Sequence, residues 1–227
     1  MRINQFLAQV LGISRRAADK EIEAGNVRIG KTKAKLGDQV TEKDVVSYKG
    51  EELVNTKLNP TTIMLNKPEG YITSRKRDET SAPTVMELLP KELQHLRPVG
   101  RLDKESCGLL LLTDDGDLLY RSTHPKFEIE KEYIVEFETP LSQMEMAMWK
   151  QGMKLIDGIA RAGKIIREGK RFRVTLHQGK NRQIRRMAGK TGNKVNYLER
   201  VRSGDVSLGS LRIGEWKKLP NKNITKK

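Results

Sequence analysis

One loop of the chain places an acidic and a basic side chain directly before a strongly apolar segment. The loop is Gly100-Arg101-Leu102-Asp103, and residues 109–112 that follow are four consecutive leucines. A carboxylate on a short loop, held by a rigid buried element, is a common arrangement for a catalytic group. A surface ion pair between Arg101 and Asp103, ahead of a core strand, is an equally good interpretation of this pattern alone.

The elements around this loop predict a sheet with flanking helices. The leucine run predicts a buried strand that ends at the turn signal Asp115-Gly116. Further strands are predicted at 63–65, 133–137 and 172–176. Because strands and helices interleave irregularly, a mixed, largely antiparallel sheet is favoured over a doubly wound one.

One helix of this region has a clear start signal. It is predicted to begin at Ser142, because Glu145 three residues later completes a capping box. Met144, Ala147 and Met148 are predicted to form its apolar face. The predicted fold class is therefore α+β.

The first 58 residues predict a small module of two helices and short strands. Apolar residues at helical spacing predict a helix over 3–11, and Ser14 is a candidate cap for a second helix that ends at Gly25. This segment resembles the S4 RNA-binding domain in residues 2–7, 14–18 and 22–27. The resemblance implies RNA backbone contacts by the basic second helix, which carries Arg15 and Arg16.

A phosphate-loop pattern, G-x-x-x-x-G-K-[ST], occurs between Gly25 and Thr32. That motif binds phosphates only where a strand precedes the loop and a helix follows it. Here a helix precedes, residues 27–29 alternate like a strand, and residues 33–38 have no helical periodicity. Nucleotide hydrolysis is therefore disfavoured, and no nucleotide cofactor is expected.

Composition indicates a polyanionic partner. The chain has 44 Lys and Arg against 29 Asp and Glu, a formal net charge of +15. Residues 167–202 alone contain 12 basic and 2 acidic residues, a net +10. General solubility would not require such clustering. No membrane span, signal peptide, disulfide framework or metal-ligand spacing is expected, which predicts a cytoplasmic, metal-free protein.

Four segments of the region from residue 62 onward carry chemical signals in a fixed order. They are 65–68 (Leu-Asn-Lys-Pro), the loop at 100–103, 130–135 (Glu-Lys-Glu-Tyr-Ile-Val) and 178–187 (Gln-Gly-Lys-Asn-Arg-Gln-Ile-Arg-Arg-Met). Together with the S4-like module, they resemble the RsuA/RluB/RluE/RluF family of rRNA pseudouridine synthases. Segment 179–187 is most similar to RluF and RluB, the large-subunit rRNA enzymes. The resemblance implies an S4-like domain over 1–58 and a catalytic domain over 62–227, with a linker within 49–61.

The resemblance also implies a division of roles. Pseudouridine formation breaks the N1–C1′ bond of uridine, turns the base and rejoins it through C5, without a metal or cofactor. Asp103 would act near C1′ as nucleophile, base or electrostatic partner. Tyr133 would stack on the detached uracil, although a tyrosine on a core strand is the default interpretation. Arg185 would form the salt bridge that keeps Asp103 ionised.

Several neighbouring residues have more than one possible role. Arg182 and Arg186 compete with Arg185 for the pocket carboxylate, because all three lie on one face of a predicted helix. A solvated basic helix is the alternative. Ile184 could pack against the base, and Arg101 could fill the space of an extruded uridine. Lys67 is assigned to RNA binding by its Asn-Lys-Pro context, although turn lysines are usually solvated.

The sequence thus predicts a cofactor-free isomerase that acts on ribosomal RNA or a ribosome-assembly intermediate. Large-subunit (23S) rRNA is the favoured target, small-subunit (16S) rRNA an alternative. A non-catalytic rRNA-binding or assembly protein is the alternative of another class. A monomer is the default expectation.

Overall fold

The structure is a computed structural model that describes residues 1–41, 43–53, 60–77, 79 and 81–220. The chain forms two compact units, Met1–Pro60 and Thr61–Lys227.

The first unit packs two helices against a small antiparallel sheet. Its elements are α1 (Ile3–Val10), α2 (Arg15–Glu23), β1 (Val27–Ile29), β2 (Thr32–Lys33), β3 (Val46–Tyr48) and β4 (Glu51–Leu53), with strand order β2-β1-β3-β4. The Ser14 hydroxyl accepts a hydrogen bond from the Ala17 backbone N–H, which confirms the predicted cap. Strand β1 continues into a strand hairpin and not into a helix, so the Gly25–Thr32 pattern lacks the fold that a phosphate loop requires.

The predicted linker at 49–61 is partly wrong, because β4 lies inside it. Lys49 and Gly50 have φ values of 50° and 90°, and two positive φ angles in succession are typical of a tight hairpin turn between antiparallel strands. The turn returns the chain beside β3, with Leu53 opposite Val46. Residues 54–59 of the predicted linker lie outside the described residues.

The second unit is built around a nine-stranded sheet. Its strands are β5 (Thr62–Lys67), β6 (Arg97–Val99), β7 (Cys107–Thr113), β8 (Lys131–Phe137), β11 (Lys164–Glu168), β12 (Arg171–Leu176), β13 (Val195–Ser203), β14 (Val206–Ser207) and β15 (Trp216–Leu219); the hairpin β9 (Met153–Leu155) and β10 (Gly158–Ala160) stands apart. The helices are α3 (Gly116–Thr123), α4 (Gln143–Gln151) and α5 (Gln183–Lys190). The strand order is β11-β12-β8-β13-β7-β5-β15, with β6 and β14 paired to β7 and β13. Only β7 and β13 pair in parallel among the described strands, so the predicted mixed, largely antiparallel sheet is confirmed.

The leucine run forms the centre of this sheet, as predicted. Leu110 and Leu112 pack into a core on one face of β7, whereas Leu109 and Leu111 pack into a second core on the other face. A strand covered on both faces has no polar alternation, which explains the continuous apolar run. Gly108 begins the run because a Cβ there would lie 2.4 Å from the Arg200 carbonyl oxygen of β13.

Strand β7 ends at Thr113, just before the predicted turn signal. The Asp115 carboxylate there accepts hydrogen bonds from the backbone N–H groups of Asp117 and Leu118 and caps α3. The capping box at Ser142 is confirmed, but the apolar face predicted for α4 is wrong. Met144 is 72% exposed, and the helix is anchored instead by the fully buried Trp149.

Candidate active site

A cleft of about 580 Å³ opens in the second unit. Three of the four chemically marked segments contribute to its lining: the loop after β6, the start of β8 and the segment from β12 into α5. The lining side chains used below are Arg101, Asp103, Lys131, Tyr133, Arg182, Ile184 and Arg200. The fold therefore collects residues that are far apart in the sequence.

Hydrogen bonds and one buried side chain fix the backbone of the loop that carries Asp103. The Thr73 hydroxyl donates to the Leu102 carbonyl at 2.7 Å and accepts from the Leu102 backbone N–H at 3.1 Å. The Ser106 N–H donates to the Asp103 carbonyl at 3.1 Å, and Leu102 itself is buried in the core. Asp103 keeps 27% of its side chain exposed toward the cleft. The loop thus presents one accessible carboxylate from a fixed backbone.

Lys67 lies beneath this loop and not at the RNA-facing surface. Its side chain is fully buried, and its ammonium donates to the carbonyls of Ser106 at 2.6 Å and Pro68 at 2.9 Å. Burial lowers the pKa of Lys67 to about 8. The predicted role of Lys67 in RNA binding is therefore wrong, because strand β5 ends inside the sheet and points the side chain inward.

The guanidinium beside Asp103 belongs to Arg182. Its Nη1 lies 3.8 Å from Asp103 Oδ2 and 2.7 Å from Glu105 Oε2. The hydrogen bond to Glu105 raises the pKa of Arg182, and the same bond lowers the pKa of the Glu105 carboxyl. Arg182 adopts a left-handed conformation (φ 48°) as the residue before α5, so it does not share a regular helix face with Arg185. A guanidinium charge thus lies beside the accessible carboxylate of Asp103.

The salt bridge predicted between Arg185 and Asp103 is not formed. Arg185 donates through Nη2 to the Glu105 carbonyl at 2.6 Å and to the Ser106 hydroxyl at 3.3 Å, and through Nη1 to the Val195 carbonyl at 3.1 Å. These bonds tie α5 to the Asp103 loop and to β13. Arg185 therefore supports the loop through its backbone, whereas Arg182 faces the Asp103 carboxylate.

The remaining predicted site residues lie in different parts of the structure, some in the cleft and some in the other compact unit. Tyr133 is half-buried on β8 and lines the cleft, and Ile184 lines it as part of the neighbouring core. Arg101 is exposed at the cleft. Arg15 and Arg16 are exposed on α2, in the other compact unit.

Four further residues of the site carried no clear sequence signal. Thr73 acts through two hydrogen bonds and Glu105 through one to Arg182, and no motif marks either residue. Lys131 precedes Tyr133 in one of the recognised segments, yet its burial follows only from the sheet. Arg200 lies in a basic stretch in which any arginine could have been solvated. The pairing of β8 with β13 places Arg200 opposite Tyr133. The sequence alone does not reveal this pairing, so it could not assign Arg200 to the site.

No helix in the described ranges is long and apolar enough to cross a membrane. No group of three or more His, Cys, Asp or Glu side chains in those ranges is arranged to hold a metal ion.

A basic two-helix module and a mixed-sheet domain whose basic cleft presents Asp103 beside Arg182 indicate the class: an RNA-modifying enzyme with a separate RNA-binding domain. The RNA pseudouridylate synthase family profile matches residues 61–190, and the S4 domain profile matches residues 1–46. The chain belongs to the RNA pseudouridine synthases.

Individual relatives agree with this assignment. An uncharacterised RNA pseudouridine synthase of Aquifex aeolicus is 36% identical over 96% of this chain and 90% of its own length. The dual-specificity RNA pseudouridine synthase RluF of Escherichia coli is 34% identical over 99% of this chain and 77% of its own length. The ribosomal small subunit pseudouridine synthase A of Yersinia pestis is also 34% identical, over 99% and 97%.

A solved structure shares the whole architecture. It is described as a pseudouridylate synthase, is 32% identical, and superimposes with a TM-score of 0.69 over 99% of this chain and 98% of its own.

Proposed function

We propose that this enzyme converts a specific uridine of large-subunit ribosomal RNA to pseudouridine, with Asp103 as the group that acts at the sugar. The observation that supports the role of Asp103 most directly is its accessible carboxylate in the cleft, 3.8 Å from the Arg182 guanidinium. An ionised carboxylate can attack C1′, remove a sugar proton or stabilise positive charge as the N1–C1′ bond breaks.

The roles that we propose for the other cleft residues follow from the geometry of the reaction. Tyr133 stacks on the detached uracil, and base–aromatic stacking contributes about 1–3 kcal/mol. Ile184 packs beside the ring from the neighbouring core. Extruding a uridine from a stem costs a few kcal/mol, and Arg101, exposed at the cleft, fills the vacated space with its planar guanidinium.

The S4 domain and the basic stretch at 167–202 supply the affinity for RNA. Arg15 and Arg16 contact phosphates, because exposed arginines on a helix suit backbone binding without base readout. We further propose that the enzyme acts as a cytoplasmic monomer on rRNA or on an assembly intermediate, with the S4-like domain over 1–58 and the catalytic domain over 62–227.

Small-subunit rRNA is the second candidate target. It is favoured by the Yersinia pestis relative, which matches over nearly its whole length at the same identity as RluF. Identity therefore does not separate the two targets.

The test is to incubate the enzyme separately with unmodified large-subunit and small-subunit rRNA and to map pseudouridine chemically at every position. The Asp103→Asn enzyme serves as the control. We expect a new pseudouridine in the large-subunit RNA that Asp103→Asn does not produce. A new site only in small-subunit RNA would overturn the target, and identical maps from both enzymes would overturn the role of Asp103.

A further inference from the structure

Two cations lie deep in the cleft without a carboxylate partner among the described residues. Lys131 donates from its ammonium to the Ile129 carbonyl at 2.8 Å, and Arg200 donates from Nε to the Leu109 carbonyl at 2.7 Å. The two acids that flank Lys131 in the sequence are paired elsewhere: Glu130 with Arg202, and Glu132 with Arg173 and Arg202. Both cations are thus held in place by neutral carbonyls.

Such a pair is costly for the folded protein. Arg200 is 3% exposed and Lys131 is half-buried. Burial, together with the nearby charge of Arg200, lowers the pKa of Lys131 to about 8. Buried charges are normally paired or neutralised. A buried and a half-buried cation that line a cleft, and that form no salt bridge among the described residues, are therefore typical of a site where the substrate supplies the negative charge.

The sheet places this pair beside Tyr133. Lys131 and Tyr133 are two residues apart on β8 and so lie on one face of the sheet. Arg200 lies directly opposite Tyr133 on β13, and directly opposite side chains are close neighbours. All three line the cleft. A uracil stacked on Tyr133 would therefore have both cations at its edges.

The reaction itself produces an anion at this point. When the N1–C1′ bond breaks, its electron pair leaves with the base, and the uracil anion carries the charge over N1, O2 and O4. C5 then bonds to C1′, C5 loses its proton and N1 gains one, so that the product is an isomer of the substrate. We propose that Lys131 and Arg200 stabilise the uracil anion between bond breakage and rejoining, an inference that rests on the proposed function of Asp103 and Tyr133.

An RNA phosphate is the other anion that such cations could bind. The position of the pair favours the base, because Arg200 is almost fully buried, whereas the exposed cleft arginines, Arg101 and Arg182, lie where a backbone phosphate can pass. Preorganised donors aimed at a developing charge, in a cleft that excludes water, contribute most to the rate and little to ground-state affinity.

The test compares two substrates that differ in the acidity of the base. An rRNA fragment that the wild-type enzyme modifies carries either uridine or 5-fluorouridine at the target position. Because 5-fluorouracil is the stronger acid at N1, its anion needs less stabilisation. Single-turnover rates of loss of the starting nucleoside are measured for wild type, Lys131→Met, Arg200→Met and Arg200→Lys. The RNA is digested to nucleosides and these are separated by chromatography, because uridine and pseudouridine have the same mass. Lys150→Met, an exposed lysine on α4, is the matched control.

We expect Lys131→Met and Arg200→Met to lower the rate about 100-fold on uridine and much less on 5-fluorouridine, with RNA affinity unchanged. Arg200→Lys should restore part of the rate, and Lys150→Met should equal wild type. An equal loss on both substrates, or a loss confined to RNA affinity, would indicate a phosphate contact and overturn the proposal. If Arg200→Met does not fold, Lys131→Met and Arg200→Lys decide the result. Absence of pseudouridine with wild-type enzyme would instead refute the proposed function.

Discussion

Lys67 offers a test of how the loop that carries Asp103 is supported. Its ammonium is fully buried and donates to the carbonyls of Ser106 and Pro68. Replacing it by methionine keeps the volume and removes the charge. We expect Lys67→Met to change both the pH dependence of stability and the rate of catalysis, while leaving RNA affinity unchanged because the side chain does not reach the surface.

The size of the stability effect follows from the pKa of Lys67, which burial lowers from 10.5 to about 8. This difference corresponds to about 3 kcal/mol. Below pH 8 the folded and unfolded states both hold the proton, and the folded state bears the full cost of the buried charge. Between pH 8 and 10.5 only the unfolded state keeps the proton, so this group makes the free energy of unfolding rise with pH. Lys67→Met lacks that rise.

The assay is urea unfolding of wild type and Lys67→Met at intervals from pH 7 to 10.5. Stability of the variant relative to wild type should fall by about 3 kcal/mol across this range. Lys150→Met replaces an exposed side chain, and its free energy of unfolding should depend on pH in the same way as that of wild type. It therefore controls for the titration of all other groups. Parallel curves for Lys67→Met as well would refute the reasoning, because they would mean that Lys67 is solvated in the folded state.

Three further outcomes are expected. Thr73→Val, which removes the hydroxyl hydrogen bonds to Leu102, should lower the single-turnover rate about tenfold with unchanged RNA affinity. An unchanged rate would show that the loop keeps its conformation without these hydrogen bonds. Arg182→Met should reduce the rate at least about tenfold without loss of folding. Arg185→Met should lower the rate and also the urea midpoint, because it leaves backbone carbonyls unpaired. Equal unfolding midpoints for the two variants would contradict the separate roles of Arg182 at the carboxylate and Arg185 in supporting the loop. Arg15→Ala combined with Arg16→Ala should reduce the salt dependence of RNA binding by a log–log slope of about 1.5; an unchanged slope would place RNA elsewhere.

The sequence predicted those parts of the fold that local physics determines. The leucine run is continuous because both faces of β7 are covered, and Ser14 and Ser142 cap helices through their own hydroxyls. Such signals act within a few residues and can be recognised in one chain. The irregular interleaving of strands and helices indicated the fold class, and the family resemblance supplied the roles of the site residues.

The contacts that the sequence did not predict depend on tertiary structure. Which arginine faces Asp103 depends on the left-handed conformation of Arg182, and Lys67 is buried because β5 ends within the sheet. The prediction of the apolar face of α4 was wrong because it also depended on tertiary packing. Met144 fits the helical spacing, but the core lies on the side of Trp149. Periodicity identifies an apolar side chain, whereas packing determines which one is buried.

The central claim is that Asp103 performs the chemistry in the cleft. The most direct test is the single-turnover rate of pseudouridine formation by Asp103→Asn, on an rRNA fragment that wild type modifies, with RNA affinity measured in parallel. The amide keeps the shape of the side chain but has neither charge nor nucleophilicity. A rate at least about 1,000-fold below wild type, with affinity unchanged, is predicted. A rate within about tenfold of wild type would contradict the account.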